Sequence, residues 1–166
     1  MYHNYTNYQN KRWDSPQRKG NFGSGTYTLK KKVKYFTDLE VYQKSQQSAV
    51  FCAKELLRAL DENTSRMLKE EIADKMILCS LRIPHLIAES HGKRFGTGEE
   101  SLAILDQVML NCNRMVAYLE QARDLLGLPI EHDRWEEQIK NYFYIRQKVL
   151  NLQRVWRKYI NENQQS

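Results

Sequence analysis

Apolar positions recur at intervals of three and four along four stretches of this chain, and the pattern breaks at three places. From Thr37 or Asp38, either suited to cap a helix, Leu39, Tyr42, Gln46, Ala49, Val50, Ala53, Leu56, Leu57 and Leu60 fall on one stripe. Asp61 to Ser65 supplies a turn, with Thr64 or Ser65 placed to cap the second helix. The stripe resumes at Leu68, Ile72, Met76, Cys79, Ser80, Ile83 and Ile87, and Gly92 suits the position just past that helix. Thr97, followed by Glu99 and Glu100, opens a third stretch through Leu102, Leu105, Val108, Met109, Cys112, Met115, Val116, Leu119, Ala122 and Leu126, which Gly127 and Pro129 stop. Its methionines sit at core spacing and read as gap-fillers between helices.

The fourth stretch carries Trp135, Ile139, Tyr142, Ile145, Val149, Leu152, Trp156 and Ile160. The pattern predicts helices over about 37–62, 65–91, 98–126 and 133–160, joined by short connections. An all-α, up-down-up-down four-helix bundle over 35–166 satisfies it. Two features exceed what a plain bundle needs. Pro84 removes one backbone donor inside the second helix and predicts a kink there, with the Ser80 hydroxyl near enough to bond locally. Phe143, Tyr144, Leu150, Val155 and Tyr159 widen the fourth stripe beyond one bundle face, so Phe143, Tyr144, Val155 and Tyr159 are candidates for a contact between subunits of a homo-oligomer.

Charge changes the picture mainly at the N-terminus. Residues 1–34 hold Lys11, Arg12, Arg18, Lys19, Lys30, Lys31, Lys32 and Lys34 against Asp14 alone, about +7 of a whole-chain +6, which leaves the bundle near neutral. The same segment interleaves Tyr2, Tyr5, Tyr8, Trp13, Phe22 and Tyr27 with Asn, Gln, Gly and Ser, without periodicity. It reads as a disordered or extended basic tail. Rings that stack bases beside cations that track phosphates suit sequence-tolerant contact with RNA or DNA; the alternative is a solubilising tail without a partner. Within the bundle, Lys93 and Arg94 form a basic connection, and Arg146, Arg154, Arg157 and Lys158 join Lys148 as a basic patch on the fourth helix or a solvated face near its C-terminus.

Candidate chemistry is sparse. Cys52, Cys79 and Cys112 are an odd number, set among apolar residues without metal spacing, and read as buried reduced thiols in a cytoplasmic protein. His85 and Glu89 share a helix face, but one histidine and one carboxylate are too few for a metal or an acid/base site, and an ion pair or intersubunit contact is the simpler reading. The connection GKRFGTGEE matches no phosphate-loop pattern. No catalytic residues, metal or cofactor are expected, nor a membrane span.

Two segments resemble a known family. Phe36-Thr-Asp-Leu-Glu-Val-Tyr-Gln-Lys-Ser45 is similar to the F-x-D-L-x-V-W/Y-Q opening of the bacterial four-helix-bundle proteins of the 23S ribosomal RNA intervening-sequence family, and Ile83-Pro84-His85-Leu86-Ile87-Ala88-Glu89-Ser90 to their S-I-P-x-N-I-A-E-G segment. Arg82, Leu86 and Ser90 depart from that family's Ser, Asn and Gly, and Cys112-Asn113 from its Gly-Ser step. The resemblance extends to the accessory variability determinant proteins of diversity-generating retroelements. It implies a ring-forming, pentameric, non-enzymatic nucleic-acid-binding protein that associates with a reverse transcriptase. The alternative is a scaffold subunit whose helices dock a partner protein without reading nucleic acid.

Overall fold

The computed structural model describes residues 33–60, 64–95 and 98–164. The tail cations Lys11, Arg12, Arg18, Lys19, Lys30, Lys31 and Lys32, and the expected cap Thr97, lie outside the described residues. Among the described residues all regular structure is helical, in four helices compatible with a helical bundle. We label them α1 (Glu40–Phe51, continued by a π turn Cys52–Leu56 and by Leu57–Ala59), α2 (Arg66–Leu68, a π turn Lys69–Ala73, then Asp74–Lys93), α3 (Gly98–Leu125) and α4 (His132–Gln164). Each helix packs on two others: α1 on α2 and α4, and α3 on α2 and α4. No helix among the described residues is long and apolar enough to cross a membrane.

The predicted stripes account for most of the core. Leu56, Met76, Ile83, Ile87, Leu105, Met115, Leu119, Tyr142 and Ile145 are fully buried, one or more from every helix. Burying side chains of this size contributes roughly 1.5–3 kcal/mol each before the entropy of ordering them is subtracted. Met115 packs in the core as its spacing predicts.

Several details differ from expectation, each for a local reason. Asp38 does not cap α1. Residues Phe36–Asp38 form a separate 3-10 turn, and the Asp38 carboxylate accepts the backbone N–H groups of Lys34 and Tyr35, both at 3.0 Å. Ser65 stands at the cap position of α2, but its side chain makes no capping bond. Gly92 lies inside the last turn of α2 rather than beyond it, and positive φ is found at Gly127, which ends α3 at φ 60° as expected. In α1 the stripe shifts phase. Val50 and Leu57, expected inward, are 41% and 52% exposed: Val50 lies opposite the buried register Val41, Ser45, Ser48 and Cys52, and Leu57 follows the π turn Cys52–Leu56, which accommodates an extra residue and rotates the helix beyond it.

Pro84 sits fully buried inside the α-helical span Asp74–Lys93 of α2, and the Ser80 hydroxyl donates to the carbonyl of Ile77 at 2.7 Å. Ser90, where the resembling pattern has glycine, donates through Oγ to the Ser101 carbonyl at 2.9 Å, and Ser101 returns a bond to the Ser90 carbonyl at 3.0 Å. Two small hydroxyl side chains thereby hold α2 and α3 close, with both hydroxyls paired.

All three cysteines are free, with Cys52 and Cys112 buried and Cys79 half-buried, its thiol near the Asn111 carbonyl at 3.6 Å. Burial pushes the Cys52 and Cys112 thiols up to about 12 and Cys79 to about 11. The thiolate is the reactive form, so all three are expected to react far more slowly with a disulfide reagent at about pH 8 than in the unfolded chain, Cys79 first. Equal rates in native and denatured protein would contradict this placement.

Candidate nucleic-acid interface

One end of the molecule gathers four chain segments. Trp156 of α4 meets His91 of α2 with ring centroids 6.4 Å apart, the side chain of Ile160 fills the space a Cβ on Gly98 would need, and the 3-10 turn Phe36–Asp38 packs on α2, Asp38 acting electrostatically on His91. The start of α1, the end of α2, the start of α3 and the end of α4 therefore converge. Glycine suits position 98 because any larger residue would displace Ile160.

Solvent-facing rings and cations crowd this end. Phe95 is 83% exposed and lies under the Arg94 guanidinium, 4.0 Å from its ring centroid. Tyr35 and Tyr159 are about two-thirds exposed, at 68% and 66%. Lys34, Arg154, Arg157 and Lys158 are exposed as well; Lys158 has only a loose pairing with Glu162, at 3.9 Å. Flat rings beside cations of this kind are the surface on which single-stranded bases stack while phosphates are held.

The cations of the basic connection and of the expected α4 patch have different surroundings. Lys93 is engaged by two carboxylates, Glu100 and Glu89, which raise its pKa, so its charge is largely neutralised locally. Arg94 is bound on one side: its guanidinium donates to the carbonyl of His91 and, at 2.8 Å, to His91 Nδ1, while its face covers Phe95. Arg146 separates from Arg154, Arg157 and Lys158. It follows Tyr142 by four residues and precedes Val149 by three, so it shares their inward side. There it is half-buried, its charge acting on Cys112, and its Nε is buried without a hydrogen-bond partner.

The candidate subunit-contact residues also divide. Phe143, Val155 and Tyr159 are exposed. Tyr144 is engaged within the chain, where its hydroxyl donates to the Glu40 carboxylate, which Lys148 also binds at 3.1 Å. These two bonds hold the Glu40 carboxyl below its ordinary pKa. His85 is exposed, and Glu89 pairs with Lys93 rather than with His85. Glu70 and Glu71 pair with Arg66 and Lys75 along the surface of α2. Among the described residues no group of three or more His, Cys, Asp or Glu is placed to hold a metal.

His91 gives this end a pH dependence. Burial, then the charge of Arg94, push its imidazole below the ordinary 6.5, against a smaller upward pull from Asp38. The native state thus keeps the ring neutral, as its Nδ1 acceptor role requires. The unfolded chain takes up a proton near 6.5 while the native one does not, so stability falls as pH drops through 6.5 and levels off once the native ring protonates. Denaturant midpoints at about pH 7.5 and about pH 5.5 are expected to differ less in His91→Gln than in the wild type. Equal differences would place the acid sensitivity elsewhere.

The sequence pattern did not indicate one further cluster. Lys54 and Arg58 on α1 and Arg134 on α4 line a common cleft, although nearly eighty positions separate the α1 pair from Arg134. Comparison with family models, with characterised proteins and with solved structures found no match to this chain.

Proposed function

We propose that this protein is a non-enzymatic accessory protein that binds single-stranded or structured nucleic acid through the converged end of its helices, together with its basic N-terminal tail. In this reading the helices form an up-down-up-down bundle, and copies of the chain assemble as a ring-like homo-oligomer, a pentamer by resemblance, working beside a reverse transcriptase of a diversity-generating retroelement. The observation that carries the nucleic-acid part is the exposed Phe95 ring under Arg94, at the end of the molecule where Tyr35, Tyr159, Arg157 and Lys158 are also exposed. The exposed Phe143 and Val155 on α4 support the subunit contact.

Native mass spectrometry of the purified full chain, with and without nuclease treatment, tests the proposal. A closed homo-oligomer carrying nucleic acid that nuclease removes is expected. A bare monomer in both preparations would overturn both the binding and the assembly.

A second reading, a scaffold subunit that docks a partner protein, is favoured by Leu78, Leu81 and Leu110, which are exposed on α2 and α3. A co-purifying protein that survives nuclease treatment would select it.

A further inference from the structure

We propose that the outer groove between the middle of α2 and the middle of α3 docks an acidic amphipathic helix of a partner protein, its apolar side chains on Leu78 and Leu110 and its carboxylates on Arg82 and Arg114. The proposal gives the partner of the scaffold reading above its chemistry, and rests on that reading rather than on the nucleic-acid end.

Two contacts define the groove. The Cys79 thiol of α2 meets the carbonyl and the side-chain oxygen of Asn111 of α3 at 3.6 and 3.7 Å, and Ser90 bonds Ser101 further along. Successive contacts therefore climb α2 as they descend α3. About the Cys79 contact the two helices present matching residues, Leu78-Cys79-Ser80-Leu81-Arg82 on one and Leu110-Asn111-Cys112-Asn113-Arg114 on the other. Each leucine stands four residues before its arginine and so shares a helix face with it. All four side chains are exposed, Leu78 the most open at 68%. Arg114 Nη1 donates to the side-chain oxygen of Asn111 at 3.3 Å, and the charges of both arginines act on the Cys79 thiol, so both stand at the groove.

Charge along this stretch has one sign. From Lys75 to Ala88 on α2 and from Gln107 to Leu119 on α3 the sequence has no Asp or Glu. Lys75 is held by Glu71, from outside the stretch, whereas Arg82 and Arg114 make no ion pair among the described residues. Two guanidiniums without a carboxylate of their own are matched by acids from outside, which such forks bind in bidentate fashion.

Spacing sets the shape of the occupant. Each arginine lies three residues past the Cys79–Asn111 contact, in opposite directions, so about 9 Å separates them along the groove at a helical rise of about 1.5 Å per residue. On a docked helix the same rise places two carboxylates about six or seven residues apart, with an apolar residue between them at the height of the two leucines. A nucleic-acid strand finds the charge here but no ring to stack on, because the side chains between the arginines are aliphatic.

The test selects a randomised library of displayed helical peptides against the full chain, and the enriched peptides are then synthesised. Expected are peptides with two Asp or Glu at that spacing and a large apolar residue between them. Their affinity falls at least about tenfold for Arg82→Glu/Arg114→Glu and, without any change of charge, for Leu78→Ala/Leu110→Ala. Bound peptide also slows the reaction of Cys79 with a disulfide reagent and leaves Cys52 and Cys112 unchanged. Enriched peptides without the paired acids, or acidic peptides that bind the charge-reversed chain as tightly as the wild type or leave Cys79 unprotected, would overturn the groove.

Oligonucleotide affinity is measured on the same variants and is expected to be unchanged by Arg82→Glu/Arg114→Glu. Its loss there would put nucleic acid rather than protein in the groove and overturn the proposal. Peptide binding in a chain that binds no strand would uphold the groove and remove the nucleic-acid interface. A selection that enriches nothing would overturn the groove, while a partner that still co-purifies after nuclease treatment would keep the scaffold reading on another face.

Discussion

Replacing Arg154, Arg157 and Lys158 together by Glu lowers the affinity of the full chain for a single-stranded oligonucleotide by about 10²- to 10³-fold at low salt. All three side chains are exposed on the last turns of α4, none is part of the core, and the melting temperature is therefore expected to stay near that of the wild type. Each phosphate that a single strand no longer pairs with a cation reduces the slope of log affinity against log salt by about 0.7, so removing three such pairs flattens it by about 2. Charge explains only part of the binding. Phe95→Ala removes a ring that is largely exposed and covered on one face by Arg94, and is expected to cost about 1–3 kcal/mol of binding with the salt slope unchanged. A Phe95 variant that loses affinity only by changing the slope would show that the ring merely positions Arg94. Isothermal titration across a salt series, for each variant, separates the two effects.

Tyr142→Ala destabilises the fold by about 3–5 kcal/mol, and Tyr142→Phe changes it by less than about 1 kcal/mol in either direction. Tyr142 is the largest of the fully buried side chains, and its charge environment is set by Cys52, Cys112 and Cys79, so the ring stands where α1, α2, α3 and α4 meet. Truncation leaves a cavity that four packed helices cannot close cheaply. Its hydroxyl, in contrast, is buried without a satisfied hydrogen bond beside the Cys52 thiol, and burial drives its pKa well above the phenol range. Removing that oxygen exchanges a poorly solvated polar atom for an apolar one. For a domain of this size the alanine variant should melt about 10–15 °C lower. Thermal unfolding followed by circular dichroism measures both; a phenylalanine variant as unstable as the alanine one would mean that the hydroxyl is well bonded.

The helices were legible because burial repeats with their period. Leu105, Val108, Cys112, Met115, Leu119 and Ala122 are all buried on α3, as three-and-four spacing requires, and so are Trp135, Ile139, Tyr142, Ile145 and Val149 on α4. What periodicity could not register is a change of period. The π turns at Cys52–Leu56 and Lys69–Ala73 alter which faces turn inward beyond them, and in α1 the consequence falls on Leu57, whose spacing looked inward. Charge was legible as a sum but not as a place. Lys93 and Arg146 looked equivalent to Arg157 along the chain, yet one is neutralised by Glu89 and Glu100 and the other turns toward Cys112.

The cleft of Lys54, Arg58, Arg134 and Gln138 was invisible for a different reason. Its members come from helices far apart in the chain, and only packing brings them together. The converged end shows the opposite case. Tyr159 and the α4 cations were visible as surplus on a bundle and Phe95 only as part of a connection, and the fold brings them to one end of the molecule.

The most direct measurement is the affinity of the full chain for a fluorescent single-stranded oligonucleotide as salt is raised from about 50 to about 300 mM. The expected result is saturable binding whose logarithm falls linearly with log salt, with a slope steeper than about −2. Absence of binding at the lowest salt, or binding that salt does not weaken, would contradict a nucleic-acid interface at this end of the molecule.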